Sequence, residues 1–233
     1  MIIYEGPSQL NGKPIVAILT NINNPSVNTK TGDMAQLTIM PKGIKPSDAV
    51  KTGEDDAVCG DCNRRPSTAK ANGLKPCYVN SRAPNSIHRA YERGSYPSGV
   101  PGQSFIRTTD DRFVSLRKPM RLGMWGDPAA MPYEIAKGLA DSAPKHTGYT
   151  HRWREFPEFS SICMASVDTE EERLEANALG FRTYRVRDEG APLMDGEISC
   201  PEADKARNIQ CADCGLCAGM AVKAKDISIE AIP

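Results

Sequence analysis

The sequence lacks net charge. Its 29 basic and 29 acidic residues cancel, so no overall field draws it to nucleic acid or an anionic membrane. It lacks long apolar runs as well. No stretch of about 18 apolar residues occurs, and a membrane-spanning helix needs one. The opening stretch MIIYEGPSQLNGKPIVAIL has no basic segment ahead of an apolar one, which is the layout a secretion signal requires. These absences predict a soluble, cytoplasmic protein with no membrane partner. The catalytic signatures HExxH, GxSxG and the dinucleotide-binding glycine fingerprint are missing too. The turn NTKTGD, Asn28 to Asp33, carries a lysine but not the full phosphate-loop spacing, so it reads as a turn.

Cysteine, in contrast, is abundant: eight residues in 233. In a reducing compartment disulfides do not persist, and clustered cysteines in such chains act as metal ligands. Two sets stand out. The first is CGDCNRRPSTAKANGLKPCYVN, with Cys59, Cys62 and Cys77 in the spacing C-x2-C-x14-C. Three thiolates leave one position free. On zinc a fourth ligand from elsewhere would take it; on a four-iron cluster one iron stays open to a small molecule. The second set is CPEADKARNIQCADCGLC, with Cys200, Cys211, Cys214 and Cys217. Its core C-x2-C-x2-C is the spacing of ferredoxin-type loops, in which each sulfur reaches a different iron of a cube. Zinc is the alternative, because CGDC and CADCG also look like zinc knuckles. The eighth cysteine, Cys163, lies inside the apolar stretch SICMAS and reads as a small core residue.

The texture between these sets predicts the fold. KPIVAILTNI and MAQLTIM read as strands, and NSIHRAYERG as a short helix closed by Gly94. Residues 94–118 are irregular. From Lys118 onward strands and helices alternate: PMRLGMWGD, then a helix PAAMPYEIAKGLADSA, then strands HTGYTHRW and SSICMASVD. TEEERLEANALG is a helix with Thr169 as N-cap, Glu172 completing a capping box and Gly180 at its end. FRTYRVR and GEISC are strands. This alternation predicts a single α/β domain over 1–233 built as a partial parallel (β/α) barrel with cysteine-rich metal-binding loops. Residues 1–117 supply the N-terminal strands and first cysteine loop, and 118–233 the βα units and second cysteine loop.

In such folds chemistry sits at the carboxyl ends of the strands. Gly126, Asp127, Tyr149 and Ser166 fall there and are the candidate cofactor-binding residues. Asp127 and His151 are the catalytic candidates. Asp127 followed by Pro128 is equally suited to capping a helix, and strand alternation would put Tyr149, His151 and Trp153 on one face. His88 and His146 read as helix-surface and loop residues. Arg64 and Arg65, beside the first cysteine set, could contact an anionic substrate or nucleic acid, or lie in a solvated loop.

Taken in order, CGDC, CYVN, AP..I..AY.RG.YP, RLGMWGDPAA, GYTHRW, MASVDT, CPEA and QCADCGLC resemble a family of uncharacterised phage- and plasmid-encoded cysteine-rich proteins, over roughly residues 26 to 219. The same order of parts is similar, more distantly, to phage proteins of radical SAM type. The resemblance implies a 4Fe-4S cluster on Cys59, Cys62 and Cys77 that binds S-adenosylmethionine, and an auxiliary cluster on Cys200, Cys211, Cys214 and Cys217. It implies action on a nucleotide or nucleic acid in the bacterial host cytoplasm. The alternative is a zinc-stabilised, non-catalytic binding module that engages a host protein or nucleic acid.

Overall fold

The computed structural model describes residues 1–73, 75–77, 79–97, 116–204 and 206–231. Three strands come first: β1 (Ile2–Pro7), β2 (Pro14–Thr20) and β3 (Ala35–Pro41). The runs IVAIL and AQLTIMP are buried throughout, as strands covered on both faces must be. β1 pairs antiparallel with β2, and β2 antiparallel with β3. Four helices follow: α1 (Pro46–Thr52), α2 (Asp56–Cys59), α3 (Pro66–Ala71) and α4 (Arg82–Glu92). Both α1 and α3 carry proline in the first turn, where its missing N–H leaves no bond unmade. Contrary to expectation, His88 on α4 is buried.

Next come β4 (Met120–Trp125), α5 (Tyr133–Ser142) and the short strands β5 (His146–Thr147) and β6 (Tyr149–Thr150). The helix expected from Pro128 starts as a 3-10 turn, Pro128–Ala130, and breaks before α5. Pro132 explains the break, since the residue before proline avoids helical backbone and Met131 is extended, at ψ 158°. The chain then runs through β7 (Met164–Val167), α6 (Glu170–Ala178), β8 (Thr183–Arg187), β9 (Glu197–Ser199), α7 (Cys211–Cys214) and β10 (Asp226–Glu230). α6 begins at the predicted N-cap, but the Glu172 carboxylate reaches the amide before the cap, so the reciprocal half of the capping box is displaced by one residue. The Thr169 hydroxyl accepts from the Glu172 amide at 3.2 Å, and the Glu172 carboxylate accepts from the Asp168 amide at 2.8 Å. Thr169→Ala is therefore expected to cost about 1 kcal/mol, seen as a lower midpoint in urea unfolding; no change in midpoint would show that the cap contributes nothing.

The described strands form two five-stranded sheets rather than the expected partial barrel. One has the order β1-β2-β3-β4-β5 and is mixed, with β4 and β5 parallel. The other, β6-β7-β8-β10-β9, is parallel throughout. The expected strand HTGYTHRW is the point of division. It breaks at Gly148 into β5 of one sheet and β6 of the other. A side chain on Gly148 would put its Cβ 2.8 Å from the Cys163 sulfur and 3.0 Å from the Ile162 carbonyl, so only glycine lets the chain pass there.

The chain divides into two compact units. One comprises Met1–Thr20, the described part of Gln36–Ser115, and Gly123–Ser142; the other comprises Asn21–Ala35, Leu116–Leu122 and the described part of Ala143–Pro233. Among the described residues no helix is long and apolar enough to cross a membrane.

Candidate metal centres

The first cysteine set lies in the first unit. Cys59 ends α2, and Gly60 turns the chain at φ 58°. The Cys62 amide then donates to the Cys59 carbonyl at 3.2 Å, and the Arg65 amide to the Cys62 carbonyl at 3.2 Å. Arg65 is not a solvated side chain. Its guanidinium donates to Asp55 at 2.6 and 3.1 Å, to the Gly60 carbonyl at 3.0 Å and to the Gly53 carbonyl at 2.6 Å. Cys77 comes back to this loop because its amide donates to the Arg64 carbonyl at 2.7 Å, while the Arg64 guanidinium reaches the Lys75 carbonyl at 3.2 Å. Burial pushes the Cys59 thiol well above its ordinary range, and the charges of Asp55, Cys62, Cys77 and Asp127 push it further.

Gly126 and Asp127 stand beside this loop, but what they approach is protein backbone. Gly126 has φ 82°, and a Cβ there would lie 2.5 Å from the Ile39 carbonyl oxygen. The Asp127 amide donates to the Val58 carbonyl at 2.7 Å. Its buried carboxylate accepts from the Ala129 amide at 3.0 Å and caps the 3-10 turn. The capping role allowed by its sequence is the one in place, and its charge reaches Cys59.

The second set lies in the second unit. Cys200 follows β9, its amide held by the Ser228 carbonyl at 2.8 Å, and its own carbonyl accepts from the Ala203 amide at 3.1 Å. α7 carries Cys211 and Cys214 and closes on Gly215 in the left-handed region at φ 66°. The turn Asn28–Asp33 braces this helix. The Asn28 side chain accepts from the Lys30 and Thr31 amides. The carbonyls of Lys30 and Thr31 then receive the Cys211 and Ala212 amides at 3.3 and 2.9 Å, and Gln210 Nε2 donates to the Thr29 carbonyl at 2.7 Å. Lys145 Nζ donates to the Asp213 carbonyl at 2.8 Å on another side.

Cys217 is buried, and its carbonyl accepts from the Gly148 amide at 2.9 Å. It packs with Cys200, Met164 and Ile227, against Tyr149 and Tyr184. The Tyr149 hydroxyl hydrogen-bonds the Cys217 sulfur, and its ring meets Tyr184 edge-on at 4.7 Å between centroids. Burial pushes the Cys217 thiol up to about 12. The Tyr149 hydrogen bond opposes that rise, and the charges of Cys200, Cys211 and Cys214 add to it. Burial likewise pushes Cys211 up to about 11, with Cys200 and Cys214 contributing. The couplings group Cys59 with Cys62 and Cys77, and Cys200, Cys211, Cys214 and Cys217 with one another.

These sulfurs feel each other's charge without crowding one point. Among the described residues no three His, Cys, Asp or Glu side chains are placed to hold a single metal ion. Around one zinc, with Zn–S near 2.3 Å, thiolates converge to about 3.8 Å of each other. A cube offers each sulfur its own iron and keeps the sulfurs further apart. Four thiols are a donor set whose chemistry suits either a zinc ion or a cluster.

The remaining candidates are dispersed. The chain leaves the sheet after Thr150, so Tyr149, His151 and Trp153 do not share a strand face. His151 is exposed, whereas Trp153 is buried and donates to the Ser166 carbonyl at 3.2 Å. Ser166 is half-buried in β7. His146 is buried in β5, with Nε2 3.1 Å from the Ile162 carbonyl, and not in a loop. Cys163 is fully buried. Arg182, described below, has no signal in the sequence: an arginine in FRTYRVR reads as any polar strand residue.

No family model matches the chain, and neither a curated protein nor a solved structure matches it. The resemblances drawn from the sequence rest on the quoted motifs alone.

Proposed function

We propose that this chain is a metal-cluster protein with two thiolate-bound iron–sulfur centres, one in each unit. Cys200, Cys211, Cys214 and Cys217 would hold a four-iron cluster closed by protein ligands. Cys59, Cys62 and Cys77 would hold a second, with one position left to a small molecule. The observation that carries this reading is the second set: Cys200 and Cys217 share one buried cluster with Tyr149 packed against it, and the Tyr149 hydroxyl meets the Cys217 sulfur. Such a donor is an outer contact of the kind that tunes thiolate-bound metal.

On this reading the second centre moves electrons, and the open first centre is where a reaction takes place. A bound cluster supplies one-electron chemistry, and this chain's residues supply position. Arg65 and Asp55 fix the turn between Cys59 and Cys62, and the Arg64 carbonyl brings in Cys77. The motif order names S-adenosylmethionine as the small molecule and a nucleotide or nucleic acid as the substrate, and a reducing bacterial cytoplasm is where such thiolates persist.

The test is metal and acid-labile sulfide content, with an absorption spectrum, on protein purified without oxygen. A brown protein with roughly eight irons and matching sulfide, as two cubes require, is the expected result. A colourless chain with one or two zincs would overturn it in favour of a zinc-stabilised binding module. That module would unfold on chelation.

A further inference from the structure

We propose that Arg182 is a built-in counter-charge for an anionic cluster on Cys200, Cys211, Cys214 and Cys217, and that with Tyr149 it positions Cys217. This deepens, and rests on, the iron–sulfur reading of the second set.

Arg182 follows α6, and its carbonyl accepts from the Ala165 amide at 2.9 Å, which anchors its backbone to β7. Only 6% of the residue is exposed. Its Nη1 donates to the carbonyls of Leu216, Gly219 and Val222 at 2.8, 3.1 and 3.3 Å, and Nη2 to Lys225 at 2.5 Å. Those carbonyls bracket Cys217, so one side chain sets the course of the segment that carries it. Gly219 tightens the same segment. It has φ 56°, and a Cβ there would sit 2.5 Å from the Ser160 carbonyl and 2.7 Å from the Cys163 backbone.

What makes Arg182 more than a clamp is its charge. Among the described residues it forms no ion pair; its hydrogen bonds all go to carbonyls. The acid acting on it, Asp226, is committed elsewhere: to Arg173, Asn177 and the Thr183 amide. The nearest geometric tie of Arg182 to the second set is the Leu216 carbonyl, held at 2.8 Å and adjoining Cys217 in the chain. A buried cation without a counter-ion is costly, and thiolate-bound cluster charge is what would offset it here. Arg65 in the first unit differs, because Asp55 already neutralises it. Tyr149, packed against the same buried cluster, donates a hydrogen bond to the Cys217 sulfur. Charge and hydrogen bond both favour the more negative, reduced state of a cluster.

The experiment reconstitutes the full chain with ferrous iron and sulfide without oxygen and compares wild type with Arg182→Gln, Arg182→Lys and Tyr149→Phe. Iron and sulfide per chain, reduction potential, and the melting temperature with and without metal are read. Arg182→Gln is expected to bind the cluster about 10- to 100-fold more weakly, the usual range for outer-contact loss. Its potential should move to more negative values, and it should lose more melting temperature when loaded than when metal-free. Arg182→Lys keeps the charge and should hold its potential nearer wild type. Tyr149→Phe removes one oxygen and should shift the potential in the same direction as Arg182→Gln. Equal melting losses with and without metal, and unchanged potentials, would reduce Arg182 to a structural clamp while the iron–sulfur reading stands. Should Arg182→Gln not fold, Arg182→Lys and Tyr149→Phe decide: a displaced potential in Arg182→Lys, or an unmoved one in Tyr149→Phe, overturns the inference. A wild-type chain that takes up no iron and sulfide removes the reading beneath it.

Discussion

Glu197→Ala is expected to cost about 3–5 kcal/mol of folding free energy, the range for leaving a buried charge without its partner. The Glu197 side chain is fully enclosed. It accepts from Arg185 Nε and Nη2, both at 2.7 Å, and from the Met194 amide at 2.9 Å. Arg173 Nε stands 3.9 Å away and is bonded to Asp226 at 3.0 Å. Arg185 lies on β8 and Glu197 on β9, with β10 between them in the sheet. The pair therefore reaches across β10 and ties three parallel strands together. With Glu197 truncated, the Arg185 guanidinium keeps only a long contact to the Pro192 carbonyl, at 3.4 Å. Urea unfolding of the metal-free chain measures the cost. A loss below about 1 kcal/mol would mean that the pair is worth no more than a surface bridge.

The same pair gives the fold a pH dependence. Burial alone would raise the Glu197 carboxyl. The Arg185 and Met194 hydrogen bonds and the charges of Arg185 and Arg173 outweigh it and hold the carboxyl below the usual range. A depressed folded pKa adds stability that is complete above the unfolded value, about 4.3. That stability is lost as pH falls through the folded value. Glu197→Gln cannot titrate, so its acid unfolding should be shallower than wild type below about pH 4.3. Identical acid limbs would exclude Glu197 as a source of the dependence.

The sequence made some of this legible and hid the rest for physical reasons. Local signals survived folding. The N-cap at Thr169 became the start of α6, and the apolar run MAQLTIM became β3. The barrel was misread because Gly148 looks like any glycine in a strand; the close pass beside Cys163 that makes it a break is tertiary. The turn at Asn28 could not be seen as a brace for α7, since its partners Gln210, Cys211 and Ala212 lie at the other end of the chain. Arg182 was invisible for the opposite reason. A buried cation bonded to carbonyls leaves no pattern of spacing or composition, only a position that the fold encloses.

On the proposed iron–sulfur reading, Cys77→Ala and Cys211→Ala, taken separately, are expected to remove one centre each. Cys77 is exposed, so its truncation removes little packing and the fold should survive it. It should lower iron and sulfide to roughly half, the remaining four irons being one cube, and abolish whatever small-molecule binding the open position supports. Cys211→Ala should also halve the iron, with a different remainder. Its loss leaves the Tyr149 and Arg182 contacts around Cys217 without a complete cluster, so the remaining signal should be insensitive to Tyr149→Phe. In Cys77→Ala the remaining signal should still respond to Tyr149→Phe. The double variant should be colourless. If either single substitution instead removed all the iron, the seven cysteines would serve one shared assembly, and the division into two centres would fail. If neither changed the metal content, thiolate ligation by these sets would be excluded altogether.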